Sequence, residues 1–286
     1  MDKTYRPYIA ELIGTFALVF ISAGAVITGY LISGTSGAGG QLTTGAIIGI
    51  ALAQGLILAV ALAITVPLSG GYLNPAITLM LYVFKRFDLG KTLGLIFTQV
   101  VGAVLAGGLL RVLLGMNENL LVASQLGTPH VNPSAFGADY MSAGMKFSGV
   151  GLELIGTFIL AAAVFASFYD PRVPHKLGRI GTWLSPLWIG LVKVVCVLVL
   201  LVWTGAALNP ARYFGTAIWE ETVPALGQHE LFADHMVYWI GPILGALLAG
   251  GAYIYLILPE EEEAPAPPAV TTAKRSTPGA TLSRTK

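Results

Sequence analysis

"GGYLNPAIT" runs from Gly70 to Thr78, and "GAALNPARYF" runs from Gly205 to Phe214. Each places Leu-Asn-Pro-Ala at the head of an apolar stretch, about 74–84 in the first and about 209–219 in the second. At 1.5 Å per residue such a stretch reaches about 16 Å, half of a hydrocarbon core of about 30 Å. Asn is a favoured N-cap, and Pro suits the first helical turn because its missing N–H had no partner there. Both stretches therefore read as short helices that begin at Asn74 and Asn209. Lying on the membrane surface is the other reading of helices this short.

The surrounding chain is that of an integral membrane protein. Of 286 residues, 55% are hydrophobic and 11% charged, against about a quarter charged in soluble domains. Six stretches are long enough to span: roughly 8–32, 45–66, 91–114, 149–169, 183–203 and 236–258. Asp2, Lys3 and Arg6 lead straight into the first span, which is too long for the core of a cleavable signal peptide. Lys3, Arg6, Lys85, Arg86, Lys91, Arg172, Lys176 and Arg179 fall on one set of loops, whereas Glu220, Glu221, Glu230 and Asp234 fall on the other. The positive-inside rule then puts both termini in the cytoplasm. The "EEEE" and "APAPP" tail, residues 259–286, reads as disordered. A net charge of +1 without a basic stripe argues against nucleic-acid binding. One cysteine, Cys196, and four scattered histidines suggest no disulfide, metal or other cofactor.

The chain repeats itself. "ELIGTF" occurs at Glu11–Phe16 and Glu153–Phe158, and "GAVLAGG" at Gly102–Gly108 echoes "GALLAGG" at Gly245–Gly251. With the paired Leu-Asn-Pro-Ala, three landmarks recur in order. They divide the chain into a first repeat (1–114), a connecting loop on the external side (115–148) and a second repeat (149–258). Three spans per half is odd, so the second copy enters from the opposite face, which makes an inverted repeat. The short helices then dip in from opposite sides and meet head to head near the midplane. Backbone at that depth must be buried or line a wet cavity. If the side-chain oxygens of Asn74 and Asn209 cap their helices, their NH₂ groups are left to donate into that cavity. The two helix dipoles add positive potential there.

At "AELIGTF", "SGGYLNPAIT", the second "ELIGTF" and "TGAALNPARYFG", the sequence resembles the aquaporin, or major intrinsic protein, family. The likeness spans about residues 8–258. It implies an all-α membrane protein: six transmembrane helices plus two re-entrant half-helices, in an aquaporin-like right-handed bundle. It further implies a homotetramer in the cell membrane, each protomer passing water, and in some members glycerol or other small uncharged solutes, by passive diffusion. Asn74 and Asn209, with Pro75, Ala76, Pro210 and Ala211 in their boxes, match the central donors. Arg212 matches the charged wall of the outer constriction, and Gln54, Val197 and Ala206 its other positions. Glu11 and Glu153 match carboxylates that hold the re-entrant loops.

Substrate signals are split. Val197 and Ala206 are small and apolar, as in members that pass glycerol. Tyr238-Trp239 resembles the aromatic pair of water-type members, and Tyr213 follows Arg212 where glycerol-type members carry Asp. Tyr72 stands where the family usually has His. Lys193 is unusual in an apolar span, where a lysine costs about 2.5–3.5 kcal/mol on insertion scales. It can snorkel, partner Glu153, bond to Tyr72 or point into the conduit. Another class of function stays open: an ion-coupled secondary transporter of a small neutral solute, with Lys193 as the titratable candidate. A membrane enzyme is disfavoured because no nucleophile–base pair or metal set is present in the sequence pattern.

Overall fold

The computed structural model describes residues 5–34, 41–170, 172, 174–223, 226 and 234–258, apart from the side chains of 174–183. The tail after Leu258 lies outside them, as do Lys3 and Glu230. The first half holds α1 (Arg6–Ile32), α2 (Thr44–Thr65), the short α3 (Pro75–Val83) and α4 (Leu89–Leu114). After α5 (Glu118–Ser124), the second half holds α6 (Ala143–Phe168), α7 (Pro174–Thr204), the short α8 (Pro210–Glu220) and α9 (His235–Ala252), which runs on as a π-turn to Ile257. Six of these helices are long and apolar enough to span a membrane, so both ends of the bundle emerge on one face, here called the terminal face.

Helix starts follow capping chemistry. Thr43, Asp88 and Ser142 accept from the N–H of Ala46, Lys91 and Met145, which satisfies amides left unpaired in a first turn. Asn74 and Asn209 do the same for α3 and α8, with Pro at the first helical position of each. Both Asn residues are extended, with φ −154° and −159°. At 9 and 11 residues, these two helices stop about halfway through a bilayer.

Packing repeats with the sequence. α1 lies on α2 and α4, as α6 lies on α7 and α9; α3 packs on α9, as α8 packs on α4. The α2–α7 crossing relates the two halves to each other. At its centre a Cβ on Gly55 would collide with the Gly190 carbonyl, and one on Gly190 with the Gly55 carbonyl. Gly102 sits in the same way against the Leu12 carbonyl, and its counterpart Gly245 against that of Leu154. The chance-prone "GAVLAGG/GALLAGG" echo thus marks two equivalent close helix contacts. Phe97, Val112 and Val195, at 68%, 76% and 61% exposure, face outward, as helices surrounded by lipid require.

The loop expected over 115–148 is not plain loop. It contains α5, a 3₁₀ turn over Gln125–Gly127 and another over Pro133–Phe136, and α6 begins at Ala143. Leu126 and Gly127 fold inward and are buried.

Candidate functional site: a lumen between two helix starts

The segments before α3 and α8 have matching backbones. Gly71 and Leu73 have φ of 66° and 52°, and their counterparts Ala206 and Leu208 have 51° and 54°. Left-handed geometry in non-glycine residues costs roughly 1–2 kcal/mol each. Two buried carboxylates hold it. Glu11 accepts from the N–H of Tyr72 (2.9 Å) and Leu73 (2.7 Å), from Ser69 Oγ and from Gln99 Nε2 (2.7 Å). Glu153 accepts from the N–H of Ala207 (3.0 Å) and Leu208 (2.7 Å) and from Thr204 Oγ1 (2.7 Å). With the amides turned toward the carboxylates, the carbonyls of these segments turn the other way.

The two chains of carbonyls meet at the asparagines. Asn74 Oδ1 caps α3 through Ala76 N–H, and its Nδ2 donates to the Leu208 carbonyl at 2.8 Å. Asn209 Oδ1 accepts from Ala211 and Arg212 N–H, and its Nδ2 donates to the Leu73 carbonyl at 2.8 Å. The amide groups are therefore only half free: one hydrogen of each ties the half-helices together, and the second remains. The sequence expectation that both hydrogens face the cavity is corrected on this point, because the opposite loop brings a carbonyl within reach.

A lumen passes this junction. Its lining is apolar at Leu18, Leu58, Ile77, Leu160 and Val164 and polar at Ser22, Tyr72, Asn74, Asn209, Gln54, Lys193 and Arg212. Its cavity volume is about 30 Å³, space for roughly two waters at a time. Gln54 is 1% exposed, and neither amide atom has a partner among the described residues. Arg212 is 3% exposed. Its Nη2 donates to the Gly127 carbonyl at 2.6 Å and its Nη1 reaches Thr216 Oγ1 at 3.4 Å, while Nε has no partner among the described residues. The inward 3₁₀ turn explains its own burial: it brings Gly127 to Arg212.

Other expected residues fall outside the lining. Val197 and Ala206 are fully buried and are not among the residues lining this cavity. Lys193, one helical turn before Val197, lines it. Its Nζ donates to the carbonyls of Ala206 (2.8 Å) and Ala207 (2.9 Å), so of the partners considered from sequence, neither Glu153 nor Tyr72 is bonded to it. Pro75 and Pro210 start their helices, and Ala76 and Ala211 are fully buried beside them. Tyr213 stacks on Tyr238 at 4.4 Å, away from the lumen lining. On the terminal face, the Tyr72 ring meets Phe87 edge-on at 4.9 Å.

The sequence reading missed one cluster. His130, 22% exposed at its side chain, lies between Glu220 (Nε2 to Oε2, 2.8 Å) and Asp234 (Nδ1 to Oδ2, 3.1 Å). Burial lowers the His130 pKa, but the two carboxylates outweigh it and push the value up to about 10. The charged imidazole thus clips the loop after α5 to the end of α8 and the start of α9. No spacing rule brings positions 130, 220 and 234 together, although acidic residues grouped on one face were visible.

Six spans around a narrow lumen, with two half-helices meeting head to head beside it, define a polytopic membrane protein. The family model described as "Major intrinsic protein" matches residues 1–255, and the chain belongs to that family. It is 36% identical over 264 residues to aquaporin TIP4-4 of Zea mays, covering 92% of this chain and 90% of that one. It is 32% identical to probable aquaporin TIP3-2 of Arabidopsis thaliana, covering 91% and 86%. Its fold matches the X-ray structure of the aquaglyceroporin from Plasmodium falciparum with a TM-score of 0.71 at 24% identity, over 90% of this chain and 97% of that one.

Proposed function

We propose that this protein is a passive channel for water and small uncharged solutes, and not an enzyme. The observation that carries the reading is the junction itself. Two helix N-termini and Arg212 converge on a lumen that admits about two waters. Each helix start carries about half a positive charge, and a buried guanidinium adds a full one, so a cation entering meets repulsion without a compensating ligand shell. A water at the junction accepts from the remaining Asn74 and Asn209 hydrogens. Its own hydrogens then point away along the lumen, which interrupts proton hopping. The relatives named aquaporins support the same reading.

Asn74 and Asn209 are then the central donors, and Gln54, Lys193 and Arg212 the side chains that meet the permeant on the far side. An ion-coupled transporter would need a titratable group free to exchange a partner. Lys193 is tied to two backbone carbonyls, which favours the passive reading. The lysines and arginines near the terminal face support cytoplasmic termini; a homotetramer in the cell membrane completes the reading, with family membership supporting a multi-pass membrane protein. Stopped-flow light scattering on proteoliposomes challenged with sucrose and then glycerol tests the function. Shrinkage well above the protein-free rate is expected; a protein-free rate refutes it.

A further inference from the structure

We propose that Lys193 is a specificity-determining residue that depletes the hydrogen-bond acceptors of the far half of the lumen, so that water passes and polyols are refused. This rests on the channel reading above. The two re-entrant segments are built alike, with Glu11 or Glu153 holding the N–H groups and the carbonyls turned away from them. In the first segment, no protein group among the described residues donates to the carbonyls of Gly71 and Tyr72. In the second, the equivalent carbonyls of Ala206 and Ala207 both accept from Lys193 Nζ. The difference comes from one position. Sixteen residues before each Asn, the first repeat has Leu58 and the second has Lys193, and both line the lumen.

The consequence is a donor–acceptor imbalance. The Leu73 and Leu208 carbonyls each already accept one hydrogen bond, from Asn209 and Asn74. Of the two carbonyls bonded by Lys193, that of Ala207 lines the lumen, and each gives the lysine one of its two lone pairs; the lining side-chain acceptors on the far side are then Gln54 Oε1, without a partner among the described residues, and the Ser22 hydroxyl. Donors are plentiful there: Gln54 Nε2 and Arg212 Nε are both buried and without a partner among the described residues. A water offers two hydrogens, and its lumen neighbours can accept them. A polyol of three carbons presents three hydroxyl donors at once beside apolar lining residues, and unmet donors in a dry passage are heavily penalised. The count does not depend on the charge of Lys193, since an amine and an ammonium both have two N–H groups to give.

A matched pair of variants tests this in proteoliposomes, reading the ratio of glycerol to water permeability. Lys193→Met keeps an unbranched chain without donors, and Lys193→Arg keeps N–H donors and adds no acceptor. The Met variant should raise the ratio about tenfold, the worth of one regained hydrogen bond, while the Arg variant stays near wild type. Equal ratios in the two variants, or no rise in Met, overturn the proposal. So does a wild type that already passes glycerol about as fast as water, a result that needs no variant. Wild-type vesicles closed to water that open with Lys193→Met make the lysine a plug and refute the filter. Absence of water flux in wild type and variants alike would instead sink the channel reading itself.

Discussion

Single buried charges decide how this lumen is held. Glu153 stands at 0% exposure with both oxygens accepting from the backbone of a strained segment. Glu153→Gln turns an NH₂ group toward amides that already need an acceptor. A loss of about 1–3 kcal/mol should appear as a lower unfolding temperature with reduced water flux; wild-type values for both would contradict the assigned role. His130 makes a pH-dependent contribution. Its folded pKa of about 10 lies above the ordinary 6.5, so its stabilisation is full below about pH 6.5 and fades as pH rises through about 10. His130→Ala should therefore unfold several degrees below wild type at neutral pH. The gap should close near pH 11, and a gap constant across that range would contradict the clip. Neither His130 nor the Gly127 carbonyl was readable in the sequence. Both act through a loop whose inward fold depends on packing against α1, where Gly127 lies against the Ala23 backbone.

Helices were more legible than sites. Apolar length alone marked the six spans, and Asn-Pro marked the starts of α3 and α8 to within a residue, because capping is local chemistry. The start of α6 was placed six residues late: Ser142 caps it ahead of the apolar run that defined the span. Lining residues were harder. Offsets from the Asn boxes put Gln54 on the lumen but left Val197 buried, since Lys193 reaches across that wall to the Ala206 and Ala207 carbonyls. Two changes probe the elements. Asn209→Ala removes both the cap of α8 and the bond to the Leu73 carbonyl, and should destabilise by about 1–2 kcal/mol in thermal unfolding. Gly190→Val drives a side chain into the Gly55 carbonyl at the α2–α7 crossing. It should cost about 3 kcal/mol or prevent assembly of the bundle, and a variant as stable as wild type would show that this contact is looser than described.

At the scale of the molecule, the inverted repeat turns two weak local signals into one arrangement. Each Asn-Pro start is only a helix cap by itself, but opposed insertion places the two positive helix ends around a shared passage, with the carbonyls of each loop bonded by the other loop's asparagine. Symmetry is broken where chemistry needs it: Lys193 against Leu58, Arg212 against Ile77 at the position three after each Asn. The central claim is that this junction passes neutral molecules and stops ions. The most direct test measures osmotic water flux and dye-reported proton flux on the same proteoliposomes. Water permeability at least about tenfold above protein-free vesicles, with proton flux at the protein-free level, is the expected result. Proton flux that rises together with water flux, or water flux no faster than through bare lipid, would contradict it.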